Sequence, residues 1–286
     1  MKLITYSFFK PLQMPERRSW DKARDDFNRY YYNLPATILT NRILYPDYSM
    51  RFFVTSNVVE NPLSDIFDCL NFDGMQLYEI QMDYKLTEPA IFRMMPLWED
   101  VEVMHPRDID SIPLELEYRY VRSFEEKDYD VGTMRTHQNH YGLACRMLAG
   151  LSSYKPNSIP QSVKGGSFSE YFGSALDEYG SDQELIVRYF TADPEYTKSN
   201  FYDFPCYNCR FYQDFPCVVA DNEDIARIQL TEVQKQIFQK QEQLGLTSWA
   251  GEPVDARGEY TNMLLEFFPE VRAKMSSHLK EFYNVS

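Results

Sequence analysis

A chain of 286 residues, 44% of them hydrophobic, can bury a sizeable core as one large α/β domain or as one domain with an appendage. Its net charge of −14 disfavours nonspecific binding to nucleic acid or to an anionic membrane. No apolar run reaches the ~18 residues of a membrane span, the first residues lack the apolar core of a signal peptide, and the five Cys are an odd number; a soluble, cytoplasmic protein in a reducing compartment is expected.

The charge is uneven. Residues 1–35 carry seven basic and four acidic side chains, a local balance of +3 that either draws an anionic ligand or solvates a loop and a helix. Residues 2–9 are apolar enough for a first, central strand. Pro11, Pro15 and the charges up to Asp26 predict a loop, and residues 20–44 read as helical with a break at Pro35. A second strand is expected over 50–55 and a short helix over 62–70, started by Asn61 with Pro62 in its first turn. A third strand follows over 75–81.

The stretch from 87 to 111 organises the rest. Ile91, Met94, Met95 and Trp98 recur at helical spacing, which predicts an amphipathic helix. Glu99 and Asp100 end it, and Val101, Val103 and Met104 form a brief strand leading into Arg107-Asp108-Ile109-Asp110-Ser111. Strands separated by helices predict a βαβ sheet, and ligands of such sheets bind beyond the carboxyl ends of the strands. That is where Asp108 and Asp110 fall. Two hard oxygen donors one residue apart suit Mg²⁺ or Mn²⁺ on a diphosphate; the alternative is a solvated turn capping the next helix.

Further on, residues 114–124 read as a helix, 129–133 lead into a strand that delivers Arg135, His137 and His140, and 138–151 read as helical. Residues 152–166 predict a loop, and 169–179 and 182–189 two short helices split by Gly180. Asp182 then sits at a helix N-terminus, where backbone N–H groups favour an ionised carboxylate. Cys206, Cys209 and Cys217 allow a zinc reading but lack an evident fourth ligand, and buried thiols are the alternative. Residues 224–244 and 269–282 read as helices.

Four of these segments resemble, in order, small metal-dependent GT-A glycosyltransferases of large algal viruses and related bacterial enzymes. They are Arg93 with Pro96 and Leu97; Arg107 to Ser111; Met134-Arg135-Thr136-His137-Gln138-Asn139-His140; and Tyr179-Gly180-Ser181-Asp182-Gln183-Glu184-Leu185. Tyr45 to Val54 resembles the second-strand segment of the same group, and the likeness covers about residues 3–190. Thr136 departs from the Asp of the family pattern, as do the bulkier residues 143–147.

The resemblance implies a GT-A (Rossmann-like) α/β fold with a mixed, mostly parallel sheet over residues 1–192. A helical and irregular C-terminal part, 193–286, would pack on it. It implies transfer of a sugar from a UDP- or GDP-sugar to a hydroxyl of a glycan, with Mn²⁺ or Mg²⁺ on Asp108 and Asp110. Tyr6, Ser7, Lys10, Arg93, Asp108 and Trp249 would contact the donor, with Glu252 near Trp249. Asp182 would act as the base of an inverting reaction, and His137, with His140, would assist at the acceptor, the metal or the leaving group.

Arg suits a diphosphate because its planar fork grips phosphate with two hydrogen bonds; an ion pair with Glu99 or Asp100 is its other reading. His105 reads as a strand-end residue. The competing function is a catalytically idle GT-A-like scaffold, which Thr136 favours. Nucleotidyl transfer also uses paired acids on such a sheet, but would bring a Gly-rich loop after the first strand, and residues 10–18 contain no Gly.

Overall fold

The first strand, β1 (Lys2–Phe8), divides the protein by the two-residue period of its side chains. Ile4, Tyr6 and Phe8 enter one apolar cluster, with Met50, Phe52 and Val54 of the neighbouring strand. Leu3 enters a second cluster, with Ile91, Met94 and Leu97. The computed structural model describes residues 1–10, 29–83, 88–135, 147–173, 181–205, 218–246 and 254–286.

Among the described residues there are seven further strands: β2 (Ser49–Thr55), β3 (Met75–Ile80), β4 (Val103–Arg107), β5 (Val131–Arg135), β6 (Ser152–Tyr154), β7 (Phe201–Pro205) and β8 (Val218–Val219). They form one sheet in the order β3-β2-β1-β4-β6-β5-β7-β8. β6 runs antiparallel to both neighbours and every other pair is parallel. The fold is therefore the expected α/β one, a Rossmann-like, mostly parallel sheet flanked by helices. The sheet takes strands from both sides of residue 192.

From β1 the chain runs outward to β2 and β3, then crosses back to β4 on the opposite side of β1. The strand order reverses between β1 and β4, and a crevice for ligands opens at such a point, beyond the carboxyl ends of the two strands.

Several elements differ from the sequence reading. The break expected at Pro35 falls at Asn33, and Pro35 lies in the first turn of the Leu34–Leu44 helix, where its missing N–H costs nothing. The segment expected to be a loop from 152 contains β6 and the short Gln161–Lys164 helix. The helix expected over 224–244 is two, Asn222–Ala226 and Glu232–Gln243, the second started by a Thr231–Gln234 capping box. Residues 269–282 divide into Pro269–Lys274 and Ser277–Phe282, and the Glu259–Phe267 helix before them escaped the sequence reading.

The Glu88–Trp98 segment is a 3-10 helix, not an α-helix. Its buried ridge is Ile91, Met94 and Leu97, spaced by three, while Met95 is 36% exposed. A period of three is that of the 3-10 helix. Two hydroxyls of β1 explain the choice. Thr5 Oγ1 donates to the Arg93 carbonyl at 2.8 Å; Ser7 Oγ donates to the Ala90 carbonyl at 3.1 Å and accepts the Arg93 N–H at 3.0 Å. Ser7 thus bridges the two ends of an i→i+3 pair, and Thr5 takes the carbonyl that a three-residue ladder would leave facing Pro96. Pro96 has no N–H to contribute.

β4 runs two residues beyond the sequence expectation, which places His105 inside the sheet rather than at a strand end. Its ring bridges Ser153 Oγ (2.7 Å from Nδ1) and the Tyr48 hydroxyl (3.0 Å from Nε2), and Tyr48 donates to Glu125 at 2.5 Å. Burial, then Arg107, Arg122 and Lys2, hold its pKa well below the ordinary 6.5. The unfolded chain therefore binds a proton that the folded chain refuses, and stability falls as pH drops below about 6.5. We expect His105 to contribute up to about 1.4 kcal/mol per pH unit of that slope. Urea titrations of wild type and His105→Gln between pH 7 and 5.5 check this; equal slopes would contradict it.

Candidate active site at the strand-order reversal

Arg93, Asp108 and Asp182 meet just beyond the carboxyl end of β4. Arg93 comes from the 3-10 helix, Asp108 follows β4 directly, and Asp182 lies in the first turn of the Ser181–Phe190 helix. Arg93 Nη1 donates to Asp108 Oδ1 at 2.5 Å and to the Arg107 carbonyl at 3.1 Å; Nη2 donates to Asp182 Oδ2 at 2.6 Å. Its Nε is buried and, among the described residues, finds no acceptor.

Burial alone would lower the Arg93 pKa, but Asp108 and Asp182 outweigh it and raise it, so the guanidinium stays charged. The two carboxylates differ. The Asp182 side chain is 8% exposed and that of Asp108 41%. Asp182 thus anchors the guanidinium from inside, while Asp108 reaches solvent.

A second buried pair supports Asp108. Arg107 Nε donates to Glu117 at 2.5 Å, and Arg107 Nη1 donates to the carbonyls of Pro106 (2.8 Å) and Ser152 (2.7 Å). The β4–β6 ladder pairs only Met104 with Tyr154, so this guanidinium ties the two strands together past Pro106. Burial raises the Glu117 pKa, and Arg107 pulls it back in part.

The backbone of the acidic turn is fixed from the opposite side. Asn33 Nδ2 donates to the Asp110 carbonyl at 2.7 Å and to the Val254 carbonyl at 2.5 Å, and its Oδ1 accepts the Ala256 N–H at 2.9 Å. The Val254 N–H also reaches the Asp110 carbonyl, at 3.1 Å, and Thr37 donates to the Ser111 carbonyl at 3.0 Å. Asp110 itself is 9% exposed.

The structure brings Arg93, Asp108 and Asp182 together. Ser7 lies beside them but spends its hydroxyl on the 3-10 backbone. Tyr6 is a correction. The two-residue strand period turns it to the opposite face from Ser7, where it is fully buried, stacked on Phe52, and accepts from Asn41 Nδ2 at 2.7 Å. No ligand can touch it there. Lys10 is exposed, and its carbonyl accepts from Asn57. The alternative reading of Arg93, an ion pair with Glu99 or Asp100, does not hold: Arg93 pairs with Asp108 and Asp182, and Glu99 takes Arg51 at 2.7 Å.

His137, His140, Trp249, Glu252 and the three Cys at 206, 209 and 217 lie outside the described residues. Thr5, Asn33, Thr37 and Glu117 were missed by sequence reasoning. Thr5 and Ser7 leave one signal, polar side chains at alternate positions of an otherwise apolar central strand; Asn33 and Glu117 leave none.

Among the described residues, no three His, Cys, Asp or Glu side chains group as a metal cage. Magnesium on a nucleotide commonly uses only one or two carboxylates, with waters and phosphate completing its shell. The solvent-reaching Asp108 carboxylate fits that role by its donor chemistry.

No protein-family model matches the sequence, and none of the curated proteins does. Among solved structures, the chain is similar to 4-diphosphocytidyl-2C-methyl-D-erythritol synthase from Anaerococcus prevotii, with a TM-score of 0.42, 10% identity, and 85% of this chain and 96% of that one covered. It is also similar to a protein from Desulfovibrio desulfuricans assigned as a nucleotide-diphospho-sugar transferase, with a TM-score of 0.41, 12% identity, and 96% and 97% covered. No described helix is long and apolar enough to cross a membrane.

Proposed function

We propose that this protein transfers a sugar from a nucleoside-diphosphate sugar, with UDP or GDP as the leaving group, to a hydroxyl of a glycan. The observation that supports this reading best is the solvent-reaching Asp108 carboxylate, fixed by the buried Arg93 at the strand-order reversal. Arg93 is buried with both Nη groups spent on carboxylates, so its part is to fix Asp108; the positive charge that a diphosphate leaving group needs would come from a metal held at that carboxylate. Asp108 and Asp110 would hold Mn²⁺ or Mg²⁺, which when bound would neutralise phosphate charge.

The role of Asp182 changes in this account. A general base must reach the proton it takes, and an ion-paired carboxylate facing inward is badly placed for that. We assign Asp182 to anchoring Arg93. The base role, if the reaction inverts configuration, passes to a residue outside the described part, where His137 is the candidate.

The test is a donor panel of UDP-, GDP- and dTDP-sugars with Mn²⁺ and a mixed-glycan acceptor, read by release of nucleoside diphosphate. Release with one base, and none of pyrophosphate, is expected. Pyrophosphate release would mean nucleotidyl transfer, and no turnover together with no nucleotide binding would favour the idle scaffold.

A further inference from the structure

Gly150 is buried in the short turn Ala149–Leu151 that precedes β6, and its backbone does not need the left-handed conformation that glycine alone tolerates. Its reason is space. A methyl group there would lie 2.0 Å from Asp108 Oδ2, 2.4 Å from Cγ and 2.8 Å from Oδ1. All three distances are shorter than real carbon contacts. The Asp108 carboxylate fills the volume that any other residue at 150 would claim.

The wall cannot yield easily, and the carboxylate can turn aside only by leaving Arg93. The turn is closed by the Leu151 N–H on the Leu148 carbonyl, at 3.0 Å, and Ser152 Oγ donates to the Ala149 carbonyl at 3.2 Å. The Ser152 carbonyl is gripped by Arg107, the residue before Asp108, itself held by Glu117. The wall and the carboxylate are thus tied to one frame. On the other side, Asp108 Oδ1 is engaged by Arg93.

We propose that Gly150 is a positioning residue for the donor site: the missing side chain is what lets the Asp108 carboxylate lie against the Arg93 guanidinium. This rests on the donor-site reading for its functional part, while the steric coupling stands without it. Gly150→Ala turns the carboxylate out of its place, removes the Arg93 contact, and so weakens a diphosphate ligand as far as removal of the carboxylate does.

The test is a double-mutant cycle of Gly150→Ala and Asp108→Ala, read twice: by thermal midpoint, and by calorimetric binding of UDP and GDP with Mn²⁺ present. In the wild-type background Gly150→Ala is expected to lower the midpoint by about 3 °C or more, and in the Asp108→Ala background by less than about 1 °C. Nucleotide affinity should fall at least tenfold for either single variant, with no further fall in the double. Gly150→Ser, with the same Cβ, should behave as Gly150→Ala does. Equal midpoint losses in both backgrounds would overturn the proposal. A coupled midpoint with no nucleotide binding by the wild type would leave the steric role and remove the donor-site reading. Coupled midpoints with nucleotide affinity untouched by Gly150→Ala would overturn the functional half.

Discussion

Arg93→Met should reduce donor turnover by about 10–100-fold, because Asp108 loses the contact that holds its carboxylate in place for a metal and diphosphate. The substitution also leaves Asp182 buried without its counter-ion, a defect costing about 3–5 kcal/mol in a comparable buried pair. Arg93→Lys separates the two effects. An ammonium keeps the charge but is a single point that cannot span Asp108 and Asp182 as the planar fork does. The lysine variant should therefore retain most of the stability and still lose most of the turnover. Steady-state turnover beside urea denaturation of both variants checks this. Full turnover in Arg93→Lys would show that geometry is unimportant and charge alone suffices.

The second large effect concerns the frame under Asp108. Arg107→Leu is expected to cost about 3–5 kcal/mol, because Glu117, with side-chain exposure of 4%, is left buried without its counter-ion. The carbonyls of Pro106 and Ser152 lose their donor as well. Replacing both partners, as Arg107→Leu with Glu117→Leu, should recover part of that loss, since no uncompensated charge remains. The double variant still lacks the tie between β4 and β6, so its nucleotide affinity should stay low although its stability rises. Denaturant midpoints and calorimetry on the three variants decide it. A double variant no more stable than Arg107→Leu would mean that the carbonyl contacts, and not the ion pair, dominate.

β1 to β5 were legible because each is a short apolar run bounded by turn residues, and the position of Asp108 beyond β4 followed from that; β6, β7 and β8 were not read as strands. The pairing of Arg93 with Asp182 was not. The two residues stand 89 positions apart, and no local rule brings a 3-10 helix against the start of a helix that distant. Arg93 itself was singled out, but with acidic neighbours in sequence as its alternative partners; Glu99 turned out to hold Arg51 of β2.

Two expectations failed for different reasons, one from a period assigned by hydrophobicity and one from carrying a resemblance onto a strand without its two-residue alternation. Met95 was placed on the buried face by the 3.6-residue period, whereas the Thr5 and Ser7 hydroxyls draw the segment into a three-residue period. Tyr6 was grouped with Ser7 as a ligand contact, although adjacent residues of a strand face opposite layers. That second error was avoidable from sequence. The first needed the tertiary contact.

The measurement that bears most directly on the central claim is calorimetric titration of UDP, GDP and dTDP into the wild type and Asp108→Asn, each with and without Mn²⁺. The account predicts binding of one nucleotide, strengthened by the metal in the wild type. In Asp108→Asn, which keeps the shape but not the charge, the metal should add nothing. Binding of no nucleotide under either condition, or the same metal dependence in both proteins, would contradict it.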